Sequence, residues 1–272
     1  MAKVSVIITS YNYEKYIRET INSVLNQTIN DWELIIIDDN STDNSIDIIM
    51  EFANKDTRIQ VIRNCENLGL KESIKTALLA ATGEWIAFLE SDDLWEKDYL
   101  EKKLALANQY PNVGFIYNNV KFFDSQAQTA EKKYSSLINK NNNQNFPKNM
   151  FYNFGYENPV LTMSSVMIKK QFLENIDFST PIDKLLDWYL YIQIAQKTDF
   201  YYLKDKLTLW RQHEKSYISQ NNKIKYKFAN ISAYDKLYKQ SPWNLGLLLF
   251  IILSTIRMCF KRLICYISKK IM

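Results

Sequence analysis

Apolar positions along the first 120 residues switch between two periods. Short runs rich in Val, Ile and aromatic side chains predict strands: "KVSVIIT" (Lys3 to Thr9), "ELIIID" (Glu33 to Asp38), "RIQVIR" (Arg58 to Arg63), "EWIAFLE" (Glu84 to Glu90) and "VGFIYN" (Val113 to Asn118). Between them the spacing is helical. Ile17, Ile21, Val24 and Leu25 form one stripe, and Ile74, Leu78 and Leu79 form another that stops before Gly83. Strands alternating with helices of this length predict crossover connections and a mainly parallel sheet covered on both faces. Ligands of such sheets bind beyond the carboxyl ends of the strands.

Further along, the pattern weakens. Ser125 to Asn149 is poor in apolar residues and carries "KNNNQN" at Lys140 to Asn145, which predicts a loop excursion. "STPIDKLLDWYLYIQIAQK" predicts a helix with Thr180 as N-cap, Pro181 in its first turn and Asp183 as the cap partner. Near the end, "LGLLLFIILSTI" (Leu245 to Ile256) precedes Arg257, Lys261, Arg262, Lys269 and Lys270. That run is shorter than the roughly 20 residues a spanning helix needs. It predicts a helix lying in a membrane interface, with a helix packed on the domain or in a dimer as the alternative. The expected division is residues 1–220 as one α/β domain, split into 1–118 and 119–220, followed by a helical extension over 221–272.

Charge sharpens that division. Residues 221–272 hold ten Lys/Arg against one acid, Asp235, while residues 1–220 hold 24 basic and 29 acidic residues, so the whole chain nets +4. A basic tail on an acidic body points to a polyanion or an anionic membrane surface contacted by the tail alone; the partner expected here is the membrane surface, not nucleic acid. Three cysteines, Cys65, Cys259 and Cys265, are too few and too scattered for a disulfide framework, which points to a reducing compartment. The N-terminal "MAKVSVIITSYN" shows no secretory signal pattern. The expectation is a cytoplasmic protein, peripheral on the inner face of the membrane.

Polar residues gather where the strands end: "TSYNYEKY" after the first, "DDNSTDNS" after the second and "ESDDLWEKD" after the fourth. The first exit has no glycine, which excludes a Rossmann cradle or a P-loop, because both bring backbone amides close to phosphate. A nucleotide here would stack its base on Tyr11 or Tyr13, worth roughly 1 to 3 kcal/mol by analogy with single-strand stacking. Its phosphates would need a cation. Crowded carboxylates in "ESDD" suit magnesium or manganese, hard ions that bridge protein carboxylates to substrate phosphates.

Four motifs in this order, "VSVIITSYNYEKYIRETINSVLNQT", "ELIIIDDNSTDNS", "NLGL" and "GEWIAFLESDDLWEKDYLEKKL", resemble the family 2 inverting glycosyltransferases of the GT-A fold. The resemblance is nearly continuous from residue 3 to about 105 and looser to about 216. It implies a GT-A, Rossmann-like sheet and a nucleotide-sugar donor, with UDP as the expected nucleotide. Thr9 and Tyr11 match residues that line the base pocket. Asp39 matches the carboxylate that reads a uracil imide N–H. Glu90, Ser91 and Asp92 occupy the D-x-D position, with Glu90 near the ribose, Asp92 as metal ligand and Asp93 as the next ligand. Glu90 is one methylene longer than the usual first acid.

The resemblance also implies a catalytic base at the start of a later helix, where Asp187 stands in "KLLDWYL" with Leu186 in place of the usual Glu. Arg211 and His213 in "WRQHEKS" match the closing segment and are expected to reach the diphosphate. Trp95 and Trp188 are candidates to border a sugar. The implied reaction is transfer to a saccharide or lipid-linked saccharide in surface-glycan synthesis. Two rivals are a sugar-nucleotide-forming nucleotidyltransferase, which needs a Gly- and Arg-rich first loop, and a non-catalytic nucleotide or glycan binder, in which Asp187 would point away from the metal.

Overall fold

The computed structural model describes residues 3–154, 157–179, 186–213 and 251–252. The first half builds four parallel strands with helices between them. β1 (Val4–Ser10), β2 (Trp32–Asp38), β3 (Ile59–Arg63) and β4 (Trp85–Phe88) are separated by α1 (Ile17–Leu25), α2 (Ser45–Ala53) and α3 (Leu70–Ala80). These four expected strands form with ends displaced by at most two residues.

Beyond β4 come β5 (Leu94–Trp95), α4 (Tyr99–Gln109), β6 (Val113–Phe123), α5 (Ala127–Asn142), α6 (Phe151–Phe154), β7 (Val166–Lys169), α7 (Leu186–Ala195) and β8 (Asp199–Arg211). Among the described residues they complete an eight-stranded sheet in the order β3-β2-β1-β4-β7-β6-β8-β5. Four of the seven strand pairings among the described residues are parallel, in keeping with a mainly parallel sheet, while β7 pairs antiparallel with both β4 and β6 and β5 with β8. The expected α/β class and GT-A architecture hold, because β1 to β4 keep the parallel crossover order.

Alternation along the strands divides the core into two layers. Val4, Val6 and Ile8 of β1 face Ile17, Ile21 and Val24 of α1 and Leu100 and Leu104 of α4. Ile7 faces the opposite way, toward Ile74 and Ala77 of α3 and Leu190 and Ile194 of α7. Each fully buried branched side chain contributes about 1.5–3 kcal/mol of transfer free energy. The stripe on α3 is Ile74, Ala77 and Leu78, whereas Leu79, expected to be part of it, is 89% exposed. One further residue turns the side chain by 100°, off the buried face.

The expected loop over Ser125 to Asn149 is corrected: α5 occupies most of it. Its inner face reads Ala130, Tyr134 and Asn141 at helical spacing. Tyr134 stacks 5.7 Å from Phe122 and lies 5.3 Å from Trp210, and Asn141 Nδ2 donates to the Pro159 carbonyl at 2.8 Å. One aromatic ring and one buried amide hold this helix, a signal that apolar content does not register.

Thr180, Pro181 and Asp183 lie outside the described residues, as does most of the apolar tail. Of that tail, Ile251 packs against the core layer on the α3 and α7 side. No helix among the described residues is long and apolar enough to cross a membrane.

Candidate active site

The exits of β2, β1 and β4 lie side by side, and the first two loops are stitched together. Thr42 N donates to Asn12 Oδ1 at 2.8 Å, Tyr13 N to Ser45 Oγ at 2.8 Å and Glu14 N to Asp43 Oδ2 at 3.0 Å. Asn12 turns the chain at φ 61°, a conformation that Asn tolerates better than branched residues. Most polar residues of "DDNSTDNS" are thus occupied in fixing the loops. Tyr11 is left 43% exposed at the mouth.

Asp39 is buried behind it. Its Oδ1 accepts Asn64 Nδ2 at 2.7 Å and Leu68 N at 2.9 Å, and its Oδ2 accepts Gly69 N at 2.8 Å. Gly69 takes φ 81° at the start of α3, the left-handed region that glycine enters without strain. Asp39 therefore ties the "NLGL" turn to β2. Oδ2 retains a lone pair for a further donor.

The acids of "ESDD" separate into two roles. Ser91 and Asp93 turn inward, contrary to the expectation that both face the ligand. Ser91, 2% exposed, donates to the Thr9 carbonyl at 2.8 Å and so ties β1 to the acidic loop. Asp93 is wholly buried: Oδ1 accepts Arg211 N at 2.9 Å, and Oδ2 accepts Ser164 Oγ at 2.6 Å. Burial beside Asp92 and Glu90 raises its carboxyl well above the ordinary range. Both its oxygens have protein partners within the core, so Asp93 is held inward and not presented to a ligand.

Glu90 and Asp92 remain at the pocket. Glu90 as a residue is exposed, but its carboxylate end lies among protein atoms. That crowding, followed by the charges of Asp92 and Asp187, pushes it up to about 7, against the opposing bond from Thr162. Asp92 Oδ2 lies 3.0 Å from His213 Nε2. Burial, followed by the charges of Asp92, Glu90 and Asp93, raises the Tyr13 hydroxyl.

Arg211, expected at the diphosphate, is instead a clamp. Nε donates to the Asp92 carbonyl at 2.8 Å, one terminal nitrogen to Asp124 at 3.2 Å and the other to Glu19 at 2.6 Å. The guanidinium lies 4.6 Å from the Tyr16 ring centroid and 4.4 Å from that of Phe123. β8 thereby delivers Arg211 to brace the acidic loop and carries His213 on to its outer side.

Asp187 begins α7, near enough to Glu90 for its charge to be one cause of the raised Glu90 carboxyl. Burial raises Asp187 itself above the ordinary carboxylate range. Asn158 Nδ2 lies 3.4 Å from Asp187 Oδ2, and Val160 N donates to Asn158 Oδ1 at 3.1 Å, which orients that amide. Trp188 donates to the Phe154 carbonyl at 3.0 Å. Trp95, proposed to border a sugar, is buried: it stacks 3.9 Å from Tyr99 and donates to the Ser164 carbonyl at 2.7 Å.

Thr162, Ser164, Asn158, Glu19 and Asp124 escaped the sequence reading. They lie 29 to 192 positions from the groups they contact, with no local spacing to mark them. Among the described residues no group of three His, Cys, Asp or Glu side chains converges as a complete metal cage. Asp92 and His213 supply two donors of a type that suits a divalent ion completed by substrate phosphates.

Comparisons with known proteins bear on the family and the fold. The sequence model described as Glycosyl transferase family 2 matches residues 5–176. The chain is 33% identical over 195 residues to WfgD of Escherichia coli, a UDP-Glc:alpha-D-GlcNAc-diphosphoundecaprenol beta-1,3-glucosyltransferase, covering 71% of this chain and 70% of that one. It is 34% identical over 168 residues to TuaG of Bacillus subtilis, named for teichuronic acid biosynthesis, covering 62% of each chain. The fold is similar to that of S. aureus TarS with UDP-GlcNAc, at a TM-score of 0.66 and 21% identity, covering 87% of this chain and 66% of that one. The chain thus spans less than two thirds of TuaG and of the TarS chain. With a family match over more than half its length and this fold, the chain belongs to glycosyl transferase family 2.

Proposed function

We propose that the protein is an inverting, metal-dependent glycosyltransferase that moves a sugar from a UDP-sugar to a saccharide or lipid-linked saccharide acceptor in surface-glycan synthesis. The observation that carries this reading is the meeting of Asp92 and His213, 3.0 Å apart, in the acidic loop that follows β4, with Glu90 beside them and the charge of Asp187 felt at Glu90. A nucleotidyltransferase is disfavoured by the glycine-free, carboxylate-stitched first loop. A non-catalytic binder is disfavoured by the placement of Asp187 at the start of α7, held by Asn158 and near enough to Glu90 for its charge to act there.

In this reading the base of the donor stacks on exposed Tyr11 beside Thr9, and Asp39 Oδ2 accepts its imide N–H. Glu90 meets the ribose. Asp92 and His213 would hold the divalent ion, manganese or magnesium, whose chemistry is to neutralise the departing diphosphate. Asp187 accepts the proton of the acceptor hydroxyl as that oxygen attacks the anomeric carbon from the face opposite the leaving group. A carboxyl raised by burial is a stronger base than one in water, and Asn158 keeps it oriented. Asp93, Ser91 and Arg211 build the loop that presents Asp92. WfgD acts on a diphosphoundecaprenol-linked acceptor, which supports a lipid-linked acceptor and action next to a membrane here.

Release of nucleoside diphosphate from UDP-, GDP- and dTDP-sugars, with manganese or with chelator, tests the reading in the wild type, Asp92→Asn and Asp187→Asn. Metal-dependent turnover of a UDP-sugar that both substitutions abolish is the expected result. Turnover unaffected by chelator, or retained in Asp187→Asn, would overturn it.

A further inference from the structure

The connection into β7 contains a short turn, Thr162 to Ser165, that belongs to none of the sequence motifs. Its hydroxyls face the acidic loop. Thr162 Oγ1 donates to Glu90 Oε2 at 2.6 Å and lies 3.3 Å from Asp93 Oδ2. Ser164 Oγ accepts Glu90 N at 3.0 Å and donates to Asp93 Oδ2 at 2.6 Å. Thr162 Oγ1 also accepts Ser164 N at 3.2 Å, which uses a lone pair and leaves its single proton for Glu90.

The turn is rigid enough to act as a reference point. The Ser164 carbonyl accepts Trp95 Nε1 at 2.7 Å, the Tyr99 hydroxyl at 3.1 Å and Thr208 Oγ1 at 3.3 Å. Lys103 Nζ donates to the Ser165 carbonyl at 2.6 Å and to the Tyr99 hydroxyl at 2.9 Å. None of these residues is more than 5% exposed. Glu90, by contrast, is exposed as a residue, and its three-torsion side chain needs a tie to keep its carboxylate end in one orientation among the surrounding protein atoms. The Thr162 bond is the one its carboxylate makes among the described residues.

We propose that Thr162 is a positioning residue for the donor site: its hydroxyl pins Glu90 Oε2 to the buried turn and so aims Oε1 at the donor. This rests on the assignment of Glu90 to the nucleotide-ribose contact. The role needs a hydroxyl at 162 and a carboxylate at 90 together, which separates it from simple packing.

Calorimetric titration with UDP, GDP and dTDP in the presence of manganese tests it. For whichever diphosphate the wild type binds most tightly, Thr162→Val weakens binding about tenfold, the size expected for losing a hydrogen bond to a charged group. Thr162→Ser, which keeps the hydroxyl, restores it. Glu90→Gln weakens binding as well, and adding Thr162→Val to it brings little further loss, because the two act as one unit. Thr162→Ala serves as the hydroxyl-free variant should Thr162→Val not fold. Wild-type affinity in the hydroxyl-free variant, or fully additive losses in the double variant, would overturn the inference alone. Failure of the wild type to bind any of the three would overturn the donor-site reading and this inference with it.

Discussion

His213 Nε2 lies 3.0 Å from Asp92 Oδ2, although the two residues are 121 positions apart. The contact makes the end of β8 part of the pocket floor. If both groups hold the cation, His213→Ala raises the manganese concentration needed for half-maximal activity by roughly 10 to 100-fold, the range known for supporting metal contacts. The same substitution leaves the unfolding midpoint nearly unchanged. Manganese titration of activity, read beside a melting curve, checks both.

Asp187 sits in a site that raises its carboxyl, and Asn158 works against that rise. A base must be unprotonated to act, so kcat/KM falls as pH drops through the folded Asp187 value, which lies above the ordinary carboxylate range. Removing the Asn158 bond lets that value climb. The acid limb of the pH–rate profile is expected to move upward in Asn158→Ala. Asp187→Asn is expected to lose about 10² to 10⁴ in kcat, the usual contribution of general-base catalysis, while still binding nucleotide.

Arg211 holds three elements together through Asp92, Asp124 and Glu19, and its own side chain is 9% exposed. Glu19, at 61%, rehydrates easily when the partner is removed. Arg211→Ala is therefore expected to cost about 1–3 kcal/mol, less than the 3–5 typical of a wholly buried pair. Arg211→Lys recovers little of this, because an ammonium cannot make three in-plane bonds and stack between two rings. Urea midpoints of the three proteins provide the measurement.

Lys103 is wholly buried with only uncharged acceptors around it, and burial lowers its ammonium well below the ordinary lysine range. Between its folded value and the unfolded value of about 10.4, the unfolded chain binds more protons. Stability is thus expected to rise with pH from neutrality toward that limit. In Lys103→Met this rise is lost, and the Ser165 and Ile116 carbonyls lose a buried donor. Urea midpoints between pH 7 and 9.5 distinguish the two proteins.

The positions of β1 to β4 were legible because each strand is a compact apolar run with its own punctuation. The run "WELIIID" buries nearly every residue, and β6 begins at Val113 as the pattern required. α5 was not legible, since its inner face is Ala130, Tyr134 and Asn141. A buried amide reads as polar until its partner, Pro159, is known. β7 is four residues long and gains its strand character from two antiparallel neighbours.

The site divides in the same way. By itself the sequence determined which loops meet, because strand order and crossover geometry bring the ends of β1, β2 and β4 to one edge. It also determined which residue types stand there: Tyr11, Asp39 and the four of "ESDD". Only the tertiary structure decided which way each side chain turns. Asp92 and Asp93 are adjacent in sequence and chemically identical. Ser164 and the Arg211 amide draw Asp93 into the core, while His213 meets Asp92 at the pocket. Neighbouring residues leave a loop in different directions, and their partners come from distant strands, so the division of labour between two equal acids is a long-range property of the fold.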